Sequence, residues 1–477
     1  NKHNHSEMNK AIPLSLLVAV LAMAAWFITC GKTSPTDQQQ SAAINYQKYC
    51  SGCHGANLEK FAEKEWMDEE GITSVFNSIK FGLENLGMPA FEKTFTDSEI
   101  EALSHYVKKG IPADRSQLEP ALTYGAIIES EVQKFSVDTV VSGLNVPWGM
   151  AFLPNGDMLI TERSGSLLLF SGGKLSGPVE DLPEVMAIGQ GGLLDICLHP
   201  DYEQNGWIYF TYSYLADGTG KPSGNTAVMR ARLKGNRLED QEVIFRGEPA
   251  TDRNYHFGSK IAFDGKGHVF FGIGDRGQHF DFPQKLDNHN GKIHRLNDDG
   301  SIPPDNPFVN TPGALPSIYS YGHRNPQGTC IDPLTGELWM SEHGPRGGDE
   351  LNLVKPGLNY GWPVISYGIN YDGTILTPLT EKEGMEQPVF YWTPSIGPCG
   401  MTFVTGDRYP GWKNNIFLGS LPLKHLERVV MKDNAVLHRE QLLKEIGRVR
   451  NVVMGPDGYI YFAIETPGKI LRLMPVE

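Results

Sequence analysis

One pattern recurs along roughly the last three quarters of this 477-residue chain: an apolar strand, a turn rich in Pro, Asp, Asn and Gly, then a second, aromatic strand. It appears as Met150-Ala151-Phe152-Leu153-Pro154-Asn155-Gly156-Asp157-Met158-Leu159-Ile160. The turn returns at His199-Pro200-Asp201 before Trp207-Ile208-Tyr209-Phe210, and at Asp264-Gly265-Lys266-Gly267 before Val269-Phe270-Phe271. Further copies are Asp332-Pro333-Leu334-Thr335-Gly336 before Leu338-Trp339-Met340, Trp412-Lys413-Asn414-Asn415 before Ile416-Phe417-Leu418, and Pro456-Asp457-Gly458 before Ile460-Tyr461-Phe462. A lone hairpin cannot bury its apolar face, so such copies must stack. Six of them in roughly 345 residues give about 57 each, above the roughly 40 to 50 of the tightest propeller repeats and suited to blades with long loops. The pattern predicts an all-β six-bladed propeller, with two packed sandwich domains as the alternative.

A different chemistry precedes it. Cys50-Ser51-Gly52-Cys53-His54 is the c-type haem attachment pattern, in which Cys50 and Cys53 add to the haem vinyl groups and His54 ligates the iron. A zinc site would need a second Cys or His pair nearby, and none follows within the next hundred residues. Residues 41–50 read as a short helix leading into the motif. Met88, between Gly87 and Pro89, is the expected second axial ligand, held off helix by its neighbours; Met67, in an acidic run, is the rival. Thr96-Asp97-Ser98-Glu99 predicts a helix start running to Lys109, with Ile100, Leu103 and Tyr106 on one face and His105 at the surface. Residues 41–112 are similar to a small class I cytochrome c, an all-α domain.

Lys10 and the apolar run Ala11 to Ile28, followed by Thr29-Cys30-Gly31, have the form of an export signal. Cys30 stands where a bacterial lipoprotein is cleaved and lipidated, and a retained anchor is the alternative. The expected organisation is residues 1–40 as signal, anchor and tether, 41–112 as cytochrome domain, 113–134 as linker and 135–477 as propeller. The body is then exported, on the periplasmic side, and held at the membrane through its N-terminal anchor. Cys197, Cys330 and Cys399 have no motif spacing and read as buried free thiols. A formal charge of −14 argues against nucleic acid as a partner.

In a propeller the inner strands deliver their polar and Gly-rich ends to a central mouth. Gly189-Gln190-Gly191-Gly192, His256-Phe257-Gly258-Ser259, Gly274-Asp275-Arg276-Gly277, Gly322-His323-Arg324-Asn325, Glu342-His343-Gly344-Pro345 and Arg448-Val449-Arg450 would then ring one pocket. A general base and an acid-rich cofactor fit such a ring.

Residues from about Leu144 to Leu473 resemble the soluble aldose (glucose/sorbosone-type) dehydrogenases that use pyrroloquinoline quinone and calcium. The resemblance rests on Gly189-Gln190-Gly191-Gly192-Leu193-Leu194-Asp195, Tyr321-Gly322-His323-Arg324-Asn325-Pro326-Gln327-Gly328, Glu342-His343-Gly344-Pro345 and Asn359-Tyr360-Gly361-Trp362-Pro363. It implies oxidation of an aldose at its anomeric carbon to the lactone, with hydride passing to the quinone. His256 matches the general base, Asp275 the carboxylate that orients it and Arg324 the cation beside the quinone oxygens. Gln190, Asn325, Arg448 and Arg450 match cofactor-binding residues. The carbonyls of Gly344 and Pro345 match ligands of a catalytic calcium. Glu350 and Tyr360 match ligands of a structural calcium, with Asn370 and Asp372 both near a further ligand position. A family lysine usually follows a Gly-Ser-Leu triplet closely; here Pro422 intervenes, and Lys424 stands two positions late.

Joined to a haem domain, such a propeller is expected to pass its electrons to haem c and then to a downstream acceptor. Two other classes compete: a metal-dependent sugar lactonase, which leaves the haem unemployed, and a non-catalytic carbohydrate-binding propeller, which needs no His256, Asp275 and Arg324 cluster.

Overall fold

The computed structural model describes residues 41–50, 71–82, 88, 90–109, 124–216, 222–277 and 279–476. Six antiparallel sheets of four or five strands follow one another along the chain. Their first strands, Pro147–Phe152, Leu193–Leu198, Ile261–Phe263, Pro326–Ile331, Pro398–Phe403 and Val449–Met454, each touch the next, and the sixth touches the first. The ring is a six-bladed β-propeller.

The six repeated turns each join the first and second strands of a blade, and their side chains explain why they recur. Asn155, Asp264, Asp332 and Asp457 each accept, through Oδ1, the amide two residues ahead, at 2.8 to 3.2 Å. This Asx bond replaces the strand ladder and reverses the chain. In the second blade the Nδ1 of His199 accepts the Asp201 amide at 2.9 Å and does the same work.

Between blades the aromatic second strands interdigitate with their neighbours. Ala151, Leu159, Leu193 and Phe210 fill the first seam, and Phe135, Trp412, Phe417, Phe462 and Leu473 fill the last. Each fully buried Leu or Phe contributes about 1.5 to 3 kcal/mol. The sixth blade closes the ring, because strand Lys134–Leu144 from before the first blade pairs antiparallel with the C-terminal strand Gly468–Val476. Tyr409 clamps this closure: its hydroxyl donates to the Leu473 carbonyl at 2.6 Å and accepts from the Ile460 amide at 3.0 Å.

Part of the expected linker belongs to this closure. Ile128–Glu129 pairs with Phe135 and Lys134, and the Glu131 carboxylate bonds both Arg428 and His438. Glu131 thereby answers basic partners on the fifth blade.

Ahead of the propeller, residues 41–45 are helical and continue into a π-helical turn, Tyr46–Cys50. Helices Gly71–Phe81 and Asp97–Lys109 pack on it. Thr96 and Glu99 cap the latter reciprocally, with the Thr96 amide donating to Glu99 Oε2 at 2.8 Å. Ile100 and Leu103 are buried and His105 is exposed, as the helical spacing predicts. Gly71–Phe81 is a helix beyond those the sequence predicts. Cys50 and Met88 both lie, partly buried, against the apolar cluster of Tyr46, Val75, Ile79, Phe91, Phe95, Ile100, Leu103 and Val107. Cys53, His54, Met67 and the export segment with Cys30 lie outside the described residues.

Candidate functional site

The first strand of every blade begins at one face of the ring, opposite the Asx turns. Loops before first strands and after second strands therefore converge there. Gln190, His256, Arg324 and Arg448 precede first strands; Asp275, Gly344 and Pro345 follow second strands.

His256 is held in a left-handed conformation, φ 60°. Its Nδ1 lies 2.7 Å from Asp275 Oδ1, and its backbone amide donates to Gln190 Oε1 at 3.0 Å. Gly274 permits this placement, since a Cβ there would stand 2.3 Å from the His256 carbonyl oxygen. Asp275 is fully buried and also accepts from the Gly277 amide and from Trp362 Nε1, each at 2.7 Å. An ionised carboxylate on Nδ1 fixes the proton there and leaves Nε2 as the acceptor. Burial, then the Arg324 charge, lowers the His256 pKa below its ordinary value, while Asp275 opposes the shift. The imidazole is neutral at neutral pH and is built to take a proton at Nε2.

Arg324 faces the ring of Trp362 at 5.3 Å and donates to the carbonyls of His343 and Gly344, at 3.1 and 2.6 Å. Asn325 Oδ1 accepts from the Gly258 amide and from Gln327 Nε2. Gln327 Oε1 in turn accepts from Arg450 Nη1 at 3.0 Å, so one chain of hydrogen bonds joins the arginine wall to the loop carrying His256.

That wall is larger than the sequence reading supposed. Arg448 Nε and Arg450 Nε donate to the two oxygens of Glu465, at 2.6 and 2.7 Å, and Arg450 stacks on Trp148 at 3.8 Å. Burial favours the neutral acid, but Arg450 and Arg448 hold the Glu465 carboxyl well below the usual carboxylate range. Arg163, from the loop after the first blade's second strand, joins them and donates to the Gly189 carbonyl at 2.6 Å. Burial lowers its pKa, with Glu465 opposing and Arg450 and Arg448 adding. Three guanidinium groups around one carboxylate leave an excess of positive charge, a basin for an anion carrying several carboxylates.

Arg163, Glu465 and Trp362 are the site residues to which the sequence reading gave no role. Trp362 lies within a quoted motif; the other two follow second strands as Asp275 does, the one signal that could have marked them. Lys424 is on the same face, in a left-handed turn with φ 51°, its carbonyl accepting from the Ile446 amide. Among the described residues its ammonium makes no hydrogen bond to the arginine wall.

The Gly344 carbonyl meets Arg324, and the Pro345 carbonyl accepts from Ser395 Oγ at 3.1 Å. Two neutral carbonyls are a minority of the roughly six to eight oxygens calcium takes. They fit a calcium completed by an acidic cofactor and water. Glu350 is half-buried beside Glu342, its pKa pushed up to about 8 by desolvation and by that neighbour. The Tyr360 hydroxyl is occupied by the Leu353 carbonyl and the Lys355 amide, which leaves its backbone carbonyl as the oxygen to offer a cation. Asn370 and Asp372 bond Thr374 in a turn of their own. Among the described residues no three His, Cys, Asp or Glu side chains are grouped to hold a metal.

Residues 144–472 match the family model described as glucose/sorbosone dehydrogenase, and residues 37–107 the model described as cytochrome c oxidase, cbb3-type, subunit III. Aldose sugar dehydrogenase YliI of Escherichia coli (strain K12) is 41% identical over 367 residues, 75% of this chain and 98% of that protein. Quinoprotein glucose dehydrogenase B of Acinetobacter calcoaceticus is 33% identical over 439 residues, 74% of this chain and 90% of that one. The apo-form crystal structure of the soluble aldose sugar dehydrogenase from Escherichia coli superimposes with a TM-score of 0.69 at 40% identity, covering 72% of this chain and all of that one. The PQQ-bound aldose sugar dehydrogenase from Streptomyces coelicolor gives 0.58 at 29% identity, covering 72% and 99%.

Proposed function

The chain belongs to the PQQ-dependent glucose/sorbosone dehydrogenase family and carries a cytochrome c domain before the propeller, and on that premise we propose that it oxidises an aldose at its anomeric carbon to the lactone and delivers the electrons to its own haem. The observation that carries this reading is the His256–Asp275 pair set opposite a basin of three arginines in one mouth.

His256 Nε2 takes the proton of the anomeric hydroxyl, and Asp275 keeps the ring in the required tautomer and stabilises the imidazolium that forms. Arg324 would set a fixed positive charge beside the quinone oxygens, where negative charge develops on reduction. Arg163, Arg448 and Arg450 hold the cofactor carboxylates, with Gln190 and Asn325 supplying hydrogen bonds and Lys424 a further cation on the same face. The Gly344 and Pro345 carbonyls would hold a catalytic calcium, and Glu350 with the Tyr360 carbonyl would hold a structural one. When bound, pyrroloquinoline quinone supplies a two-electron hydride acceptor, calcium polarises it, and haem c supplies a one-electron acceptor held by Cys50, Cys53, His54 and Met88. The export-type segment places the body on the periplasmic side, anchored through Cys30, where a further electron carrier reoxidises the haem.

Anaerobic extraction with mass identification of the cofactor, followed by addition of aldose to the holoprotein, tests this. The expected result is pyrroloquinoline quinone, lactone, and ferrous haem appearing by a first-order process independent of protein concentration. Lactone hydrolysis without a quinone would establish the lactonase class, and sugar binding without turnover the carbohydrate-binding class.

A further inference from the structure

The haem-bearing segment touches the propeller next to the loop carrying Gly344 and Pro345. The guanidinium of Arg346 lies over the ring of Tyr49, 4.2 Å from its centre. Thr94 Oγ1 donates to the backbone carbonyl of Asp372 at 2.6 Å. Gly373, φ 86°, is the floor of the contact, since a Cβ there would stand 2.8 Å from Tyr49 Cε1.

Both sides are braced. Tyr49 meets Phe95 edge-on at 4.9 Å and packs on the same apolar cluster as Cys50 and Met88. Arg346 and Ile369 exchange two backbone hydrogen bonds of 3.0 Å. Asp372 Oδ1 accepts from the amide and hydroxyl of Thr374, at 2.9 and 2.6 Å, which turns its carbonyl outward to Thr94. Asp372, which the resemblance places near a calcium, thus builds the turn that receives the haem domain.

We propose that this contact is the seat from which haem c is reduced: Tyr49, adjoining the haem-bearing Cys50, docks on Arg346, adjoining Pro345 of the cofactor loop. The inference rests on the electron route proposed above. Each transfer moves one electron from the reduced quinone cofactor to ferric haem iron, which becomes ferrous, while the cofactor's proton leaves to solvent. The haem is reoxidised by an external one-electron carrier before the second electron follows. A guanidinium on an aromatic face and one hydrogen bond form a weak dock. Weakness suits the task, because a tether holds the partner at around millimolar concentration, and a haem that also serves an external carrier must be released.

The test uses the full-length holoprotein carrying haem, pyrroloquinoline quinone and calcium, with Arg346→Glu on the propeller side and Thr94→Val on the cytochrome side. After aldose addition under anaerobic conditions, the first-order rate of haem reduction should fall about tenfold or more in Arg346→Glu and by a smaller factor in Thr94→Val. Sugar oxidation with an artificial dye should be unchanged in both. Hydrogen exchange should show residues 44–50 and 369–374 losing protection together. Wild-type haem reduction that neither variant slows overturns the dock alone, as does lost protection with an unchanged haem rate. A wild-type haem that stays ferric while the dye is reduced overturns the electron route itself.

Discussion

Nδ1 of His256 and Oδ1 of Asp275 stand 2.7 Å apart, on the loops that enter and leave the third blade's first hairpin, with the carboxylate fully buried. Because burial and Arg324 lower the His256 pKa, the acid limb of kcat/KM should lie below pH 6.5. The sign follows from the role: protonation removes the base, so activity falls as pH drops through that lowered pKa. Asp275→Asn deletes the charge that opposes the shift, so the limb should move further to acid, with turnover down roughly 10² to 10⁴-fold. A limb above pH 6.5, or one moving to alkaline, would remove His256 from the role of base. His256→Ala should show a comparable loss of turnover while the cofactor still binds.

Trp362 acts through Asp275. Its indole Nε1 gives the carboxylate a hydrogen bond of 2.7 Å, and Trp362→Phe leaves a buried acceptor short of one donor. Such a loss costs about 1 to 3 kcal/mol, and where it falls on the orientation of His256 it appears as a drop in kcat of about tenfold. KM should change little and the pH profile should move, whereas loss of packing alone would lower stability and leave the pH profile in place.

The arginine basin has an electrostatic consequence for the cofactor-free protein. Glu465 is the counter-charge for Arg448 and Arg450 before any ligand arrives. Glu465→Gln should destabilise the apoprotein by about 3 kcal/mol, since it strands the buried guanidinium of Arg450 beside the half-buried one of Arg448. Pyrroloquinoline quinone should recover much of that loss in Tm by supplying carboxylates. Arg163→Ala should leave the apoprotein close to wild type and weaken cofactor retention about tenfold or more in equilibrium reconstitution. Unaltered retention would confine Arg163 to holding the Gly189 carbonyl.

These residues mark what local sequence carries and what it does not. Four of the six turns were legible because an Asx residue bonds an amide only two positions away, and His199 makes the same bond in the second blade. The capping of Asp97–Lys109 was legible for the same reason. Arg163 and Glu465 stand on the first and sixth blades and come within electrostatic reach only when the ring closes, so no window of sequence contains their interaction. Residues 124–134 misled in the opposite direction: a polar, Glu-bearing stretch reads as linker until Arg428 and His438, some three hundred positions on, are seen to bind Glu131.

Met88 tests the other half of the electron route. It lies, partly buried, against the apolar cluster that Cys50 also touches, where a thioether can serve a haem held at that cysteine. Thioether ligation raises a haem potential, so Met88→Ala should lower it, on the order of 100 mV, and alter the haem spectrum. A lower potential shrinks the driving force from the reduced cofactor, so sugar-driven haem reduction should slow while dye-linked oxidation stays unchanged. Redox titration and stopped-flow spectra of the same sample separate the two effects. An unchanged potential would take Met88 off the iron and make Met67 the residue to replace next.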